Sequence, residues 1–287
     1  MTTKTKRKVC IAVISLSVIM ALIAILGICL SLNRSYIFKG KIAFISSDVQ
    51  ATVTKANICG GDLIGADKMQ QIEVDGLISQ TEGVKTWEGL EFKLSKDSKD
   101  VEIRFNIINH STDKTLKINI GDISAKTENA SIDVRFEGVD SKAKTAYVAR
   151  AKADQQGLVV EESFKQVVIT LRVNKKYKDA TIKDLNIPIS LQNVDAYVIN
   201  ITNISGETDA NTMVYTDVDG NSQKLNQSIE VCGNTITFIN QTEYVLEYKF
   251  ILNNGTPSPY NIQAGGNIVF AVDQDSSIII ASIINLY

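Results

Sequence analysis

Apolar and polar residues alternate without a break through Val101-Glu-Ile-Arg-Phe-Asn-Ile107, a spacing that sets four apolar side chains on one face of an extended strand. A polar stretch, Asn109-His-Ser-Thr-Asp-Lys114, separates this run from Leu116-Lys-Ile-Asn-Ile120, which alternates in the same way. The two read as a β-hairpin with one buried face. Runs of the same kind cover Ile42 to Phe44, Val49 to Val53, Leu90 to Leu94, Ile132 to Phe136, Val167 to Val173 and Ile187 to Leu191. Short strands with one apolar face need a second sheet to cover them, so the pattern predicts a mainly β chain built as antiparallel β-sandwiches, Ig-like or jelly-roll-like. The scarcity of proline, confined to Pro188, Pro257 and Pro259, agrees with ordered strands.

The series pauses near Asn193, and the chain beyond that point holds its own set: Tyr197 to Ile201, Thr212 to Thr216, Ile229 to Val231, Thr235 to Ile239, Tyr244 to Leu252, Ile268 to Val272 and Ile278 to Ile284. The reading is a first sandwich over 41–193 and a smaller second one over 194–287. Two helical stretches interrupt it. Ser141 to Gln156, rich in Ala and Lys and stopped by Gly157, predicts an inserted surface helix or long loop, and a shorter helix is expected around Ala66 to Ile72. Phe105-Asn-Ile-Ile-Asn-His-Ser111 and Ile236-Thr-Phe-Ile-Asn-Gln-Thr242 echo one another, each ending an apolar strand in Asn-x-Ser/Thr.

Ahead of the strands, Val9 to Leu32 carries no charge, while Lys4, Lys6, Arg7 and Lys8 crowd the residues before it. At ~1.5 Å per residue a helix there is about 36 Å long, enough to cross a hydrocarbon core of about 30 Å. The exit, Gly27-Ile-Cys-Leu-Ser-Leu-Asn-Arg-Ser35, lacks the small residues of a cleavage site. The expectation is a cytoplasmic basic tail at 1–8, a transmembrane helix or signal anchor at 9–32 in the lipid bilayer, a linker at 33–40 and an extracellular body. A secreted protein released by cleavage near Asn33 is the alternative.

Little in the body points to chemistry, and no residue stands out as catalytic, cofactor-binding or metal-ligating. Lys+Arg 30 against Asp+Glu 32 gives a net charge of -2, which demotes nucleic acid as a partner. His110, the one histidine, falls in the predicted hairpin turn and reads as an exposed turn residue without the orienting groups a nucleophile–base pair needs. Asp217-Val-Asp-Gly-Asn221 has calcium-type oxygen ligands but no closing Glu at the twelfth position, and Asp219-Gly220 fits a hairpin turn better. Asp273 and Asp275 form a carboxylate pair of the sort any acidic surface shows. Gly60-Gly61 and Gly265-Gly266 read as turns, since neither opens a phosphate-binding helix. Trp87 fits a sandwich core better than a sugar platform. Cys10 and Cys29 lie in the apolar segment, and Cys59 and Cys232 are too isolated to make a disulfide framework. Several sequons occur, including Asn109, Asn200, Asn203, Asn226, Asn240 and Asn254.

The order of basic residues, apolar segment and Ile42-Ala-Phe-Ile-Ser-Ser-Asp48 leading into strands resembles the camelysin and TasA-like exported proteins of Gram-positive bacteria. The Asn-x-Ser/Thr hairpin at Asn109 is similar too. The resemblance implies a β-sandwich body and a place in surface fibres or matrix, and it carries over no protease activity, because His-Glu-x-x-His is missing. These readings together predict a non-enzymatic, membrane-anchored surface protein with a structural, adhesive or matrix role. Its expected partners are the bilayer, further copies joined through edge strands, and an extracellular polymer or cell-surface ligand. A glycan- or calcium-binding module and a surface hydrolase are the other readings.

Overall fold

A computed structural model describes residues 36–63, 69–75, 83–94, 100–174, 180–206, 214–216, 222–224, 228–273 and 276–286. The tail and apolar segment at 1–32, the Asp217–Asn221 loop, Asn226 and Asp275 lie outside the described residues. Within them, no helix is long and apolar enough to cross a membrane.

Strands dominate. In chain order they are β1 (Tyr36–Ser47), β2 (Gln50–Val53), β3 (Asn57–Cys59), β4 (Gly61–Leu63), β5 (Ile72–Asp75), β6 (Gly83–Leu94), β7 (Asp100–Asn109), β8 (Thr115–Ile120), β9 (Ser124–Glu128), β10 (Ala130–Phe136), β11 (Thr145–Val148) and β12 (Lys152–Ala153). Then come β13 (Val159–Glu161), β14 (Ser163–Val173), β15 (Ala180–Val194), β16 (Tyr197–Asn203), β17 (Val214–Thr216), β18 (Ser222–Lys224), β19 (Ser228–Gly233), β20 (Thr235–Ile239), β21 (Leu246–Leu252), β22 (Ser258–Ile262), β23 (Asn267–Ala271) and β24 (Ser277–Asn285).

Up to β15 the strands form two large sheets, β11-β8-β15-β1-β6-β4 with β9 beside β15, and β10-β14-β7-β2-β5 with β3 beside β7, and a two-stranded sheet β12-β13. One apolar cluster joins them, including Phe38, Phe44 and Leu191 from the first sheet and Phe105, Ile169 and Val134 from the second. From β16 onward the sheets are β19-β16-β24-β21-β22 and β18-β17-β20-β23, around a separate cluster that includes Ile201, Phe238, Phe250 and Ile280. The alternation that defines β7 is carried into burial, since Val101, Ile103, Phe105 and Ile107 are buried and the residues between them are half-exposed. Burying each such side chain is worth about 1.5–3 kcal/mol, and these cores hold the fold.

The sheets are mixed where the sequence predicts antiparallel ones. β1 runs parallel to β15, and β16 parallel to β24. Each pair joins the first and last strand of its sheet pair, so no hairpin forces the two to run in opposite directions. Pro188 sits inside β15 where the strand passes from β9, last paired at Asn186, to β8, first paired at Ile189. A residue without an N–H is tolerated at that break.

Three further expectations are corrected. Thr145–Val148 is a strand with Ala146 and Val148 buried against β8, because pairing with a buried face overrides the helical preference of Ala and Lys within 141–156. Ile72 opens a strand rather than closing a helix, and 66–68 lie outside the described residues. β1 begins at Tyr36, inside the segment expected as a linker, because its pairing with Ala180 extends the sheet to that point.

Each strand of the second sheet pair has a counterpart in the first. β11-β8-β15-β1-β6 has the order of β22-β21-β24-β16-β19, and β14-β7-β2-β5 that of β23-β20-β17-β18, with chain order kept throughout. The echo between Asn109 and Asn240 therefore falls at equivalent places, the ends of β7 and β20.

Candidate functional site

Each echo is a buried asparagine corner. Asn109 is fully buried, and its Nδ2 donates to the carbonyls of Lys114 at 2.9 Å and Ala149 at 2.9 Å while its Oδ1 accepts from the Ser111 N–H at 3.1 Å. Asn240 repeats this: Nδ2 donates to Tyr244 O at 2.8 Å and Ile262 O at 3.0 Å, and Oδ1 accepts from the Thr242 N–H at 3.0 Å and its hydroxyl at 2.7 Å. The side chains tie the corner between two strands to a third segment, supplying donors to carbonyls that the sheets leave unbonded. Neither buried amide is accessible to glycosylation in the folded chain.

Between its Asn and its Ser/Thr the first corner has His110 where the second has Gln241. The sequence pattern makes His110 an exposed turn residue with nothing to orient it, whereas its side chain is only 31% exposed and is held on both sides. Its Nε2 lies 2.6 Å from Thr52 Oγ1, and its Nδ1 3.1 Å from Glu162 Oε1. Thr52, in the middle of β2, is paired in register with Glu73 of β5 and Ile108 of β7. Its hydroxyl donates to Glu73 Oε2 at 2.5 Å, and Gln71 Nε2 donates to Glu73 Oε1 at 2.6 Å. The Thr52 hydroxyl, then Gln71, then the charge of His110 hold the Glu73 carboxyl below the usual glutamate range.

Thr52 has one hydroxyl proton and gives it to Glu73, so Oγ1 accepts from His110 Nε2–H. Nδ1 on the other side of the ring faces Glu162 Oε1 at 3.1 Å, a pair that is ionic only when both ring nitrogens carry a proton. The order of groups is that of a hydroxyl, base and orienting acid, but the hydroxyl is turned the wrong way for a nucleophile. Thr52 is 5% exposed and donates to Glu73 instead of to the imidazole. The arrangement is a polar tether that joins β2, β5, the β7 corner and the entry to β14. Its members are 21, 58 and 52 residues apart along the chain, and no local sequence signal links them.

The other candidates are not brought together. Trp87 is 3% exposed, donates its indole N–H to Gln70 O at 2.9 Å and meets Phe44 and Phe105 edge to face with centroids 5.1 Å apart in each case. Its ring is core and offers no face to a sugar. Cys59 is exposed and Cys232 buried, with no disulfide between them. Asp273 receives the Ser276 hydroxyl at 2.6 Å in a turn. Among the described residues no group of His, Cys, Asp and Glu is arranged to hold a metal ion. A cleft of about 410 Å³ lies where Gly40, Gly89 and Asp184 interrupt β1, β6 and β15, and another of about 370 Å³ lies by Asn129 and Arg172. His110 lines neither of these.

No protein-family model matches the chain, and no curated protein matches it. Among solved structures, an adhesin of Mobiluncus mulieris with intramolecular disulfide, isopeptide and ester cross-links aligns over 64% of this chain and 89% of its own at 11% identity and a TM-score of 0.19. The adhesin domain of Epf from Streptococcus pyogenes aligns over 75% and 91% at 10% identity and a TM-score of 0.24. The T6 backbone pilin of the same species aligns over 79% and 80% at 8% identity and a TM-score of 0.11. Superpositions this loose do not carry a shared fold.

Proposed function

We propose that the chain is a non-enzymatic bacterial surface protein: two tandem β-sandwich modules displayed outside the cell, serving adhesion or extracellular structure. The observation that carries this reading is the uncharged run Val9 to Leu32 behind a basic tail and ahead of a body built from strands. The run inserts in the bilayer, the basic tail stays inside, and the body faces an extracellular polymer or another cell. The turned-away hydroxyl of Thr52 and the enclosed ring of Trp87 remove the best starting points for hydrolysis and for sugar stacking.

Protease treatment of intact cells producing the tagged full chain tests the placement. The expected result is loss of the body from intact cells while a fragment carrying the N-terminal tail stays with the membrane. Protection of the body until the cells are lysed would sink the reading. Intact mass of the mature protein separates an anchored chain from a secreted one that begins near Asn33.

A further inference from the structure

We propose that β23 is a docking edge for a second copy of this chain, joined antiparallel about a two-fold axis at Val269. Among the described residues β23 closes the sheet β18-β17-β20-β23 and pairs only with β20. The Asn240 N–H donates to Gly266 O at 2.9 Å and the Val272 N–H to Asn234 O at 3.0 Å, and the register between them pairs Phe238 with Ile268 and Ile236 with Phe270. Backbone bonding along an antiparallel ladder alternates, so the even-numbered residues of β23 bond to β20. Asn267, Val269 and Ala271 turn their N–H and C=O groups to the open side.

Several other edges are defended. β5 and β10 carry Glu73, Asp133 and Arg135, and β22 carries Pro259. Glu230 of β19 is held by Lys165 at 3.1 Å. β11 is neutral but short, with Lys117 Nζ 5.9 Å from its Tyr147 ring. β23, Asn-Ile-Val-Phe-Ala, has neither charge nor proline, and Val269 is 55% exposed at its centre. Phe270 faces the core, so Val269 projects from the opposite face.

The choice of occupant rests on symmetry and on the fold's own repeat. A two-fold at Val269 sets Val269 against its copy and Asn267 against Ala271 of the second copy. All three outward residues then sit in bonded pairs, giving about six backbone hydrogen bonds. No like charges meet, and two β-branched side chains face one another, a favourable cross-strand pair. Counting from the equivalent corners Asn109 and Asn240, Val167 of β14 corresponds to Phe270, and β14 accepts the antiparallel strand β10 on its outer side from Val167 onward. The second sheet pair has no strand in that place among the described residues.

The inference stands on the geometry of this edge and does not need the surface placement proposed above. Full-length chain in mild detergent, taken through sedimentation velocity over a concentration series, tests it. Wild type is expected to dimerise, Val269→Thr to behave the same, and Val269→Lys and Val269→Glu each to raise the dissociation constant by about tenfold or more through opposed like charges. Mixing the Lys and Glu variants restores a heterodimer, which also shows that both are folded. A wild type that stays monomeric, charge variants that dimerise like wild type, or a mixture that stays monomeric overturns the proposal.

Discussion

Asn109 and Asn240 show how much a single amide can hold. Each is fully buried and satisfies carbonyls from two separate segments. Asn240→Ala leaves the carbonyls of Tyr244 and Ile262 without their donor, and a loss of about 3 kcal/mol is expected in urea unfolding. Asn200→Ala, on an exposed position of β16, is expected to stay within about 0.5 kcal/mol of wild type. At the tether, the lowered Glu73 carboxyl contributes stability that is whole above the usual glutamate range and fades as pH falls below it. Thr52→Val removes the largest cause of that lowering, and the Glu73 carboxyl is expected to titrate closer to the usual glutamate range when followed by NMR of its carboxyl carbon. An unchanged titration would contradict the assigned direction of the Thr52 hydroxyl.

Among the elements, the interruption shared by β1, β6 and β15 is the most sensitive point. The β1 register shifts at Gly40 against both neighbours, Gly89 has φ 56° and Asp184 φ 53°. A Cβ on Gly40 would stand 2.3 Å from Leu185 Cβ and 2.5 Å from its carbonyl oxygen, so Gly40→Ala is expected to cost about 3 kcal/mol in thermal or urea unfolding. Strand existence was legible from period-2 alternation in β7, β8, β10 and β14, because one face of each is buried and the other is not. β11 was not, since Ala and Lys favour helix and only pairing with β8 makes Thr145–Val148 extended. The direction of β1 against β15 was hidden as well, because alternation is the same for parallel and antiparallel neighbours. Of the site, the Asn-x-Ser/Thr repeat was visible as a pattern, while Thr52, Glu73 and Glu162 meet His110 only through strand register.

For the whole molecule, two separate apolar clusters imply two cooperative units joined by polar contacts. Lys165 meets Glu230 at 3.1 Å, Lys114 meets Asp195 at 3.3 Å, the Thr115 hydroxyl donates to Ala196 O at 2.6 Å, and the Arg150 guanidinium lies 4.1 Å from the Tyr197 ring centre. Calorimetry of the full chain is expected to resolve two transitions, with Asn240→Ala lowering only one of them. A single transition that moves as a whole would show that the junction fuses the cores.

The parallel pairing of first with last strands has a mechanical side. Tension applied at the start of β1 and the end of β15 pulls two adjacent parallel strands in opposite directions, so their ladder is loaded in shear and its bonds share the load instead of opening one by one. The same holds for β16 and β24, but the first ladder runs from Tyr36↔Ala180 to Ser47↔Gln192 and the second only from Asn200↔Ser277 to Asn203↔Ile280. Under stretching the second unit should yield at the lower force, making it a shock absorber in series with a stiffer first unit.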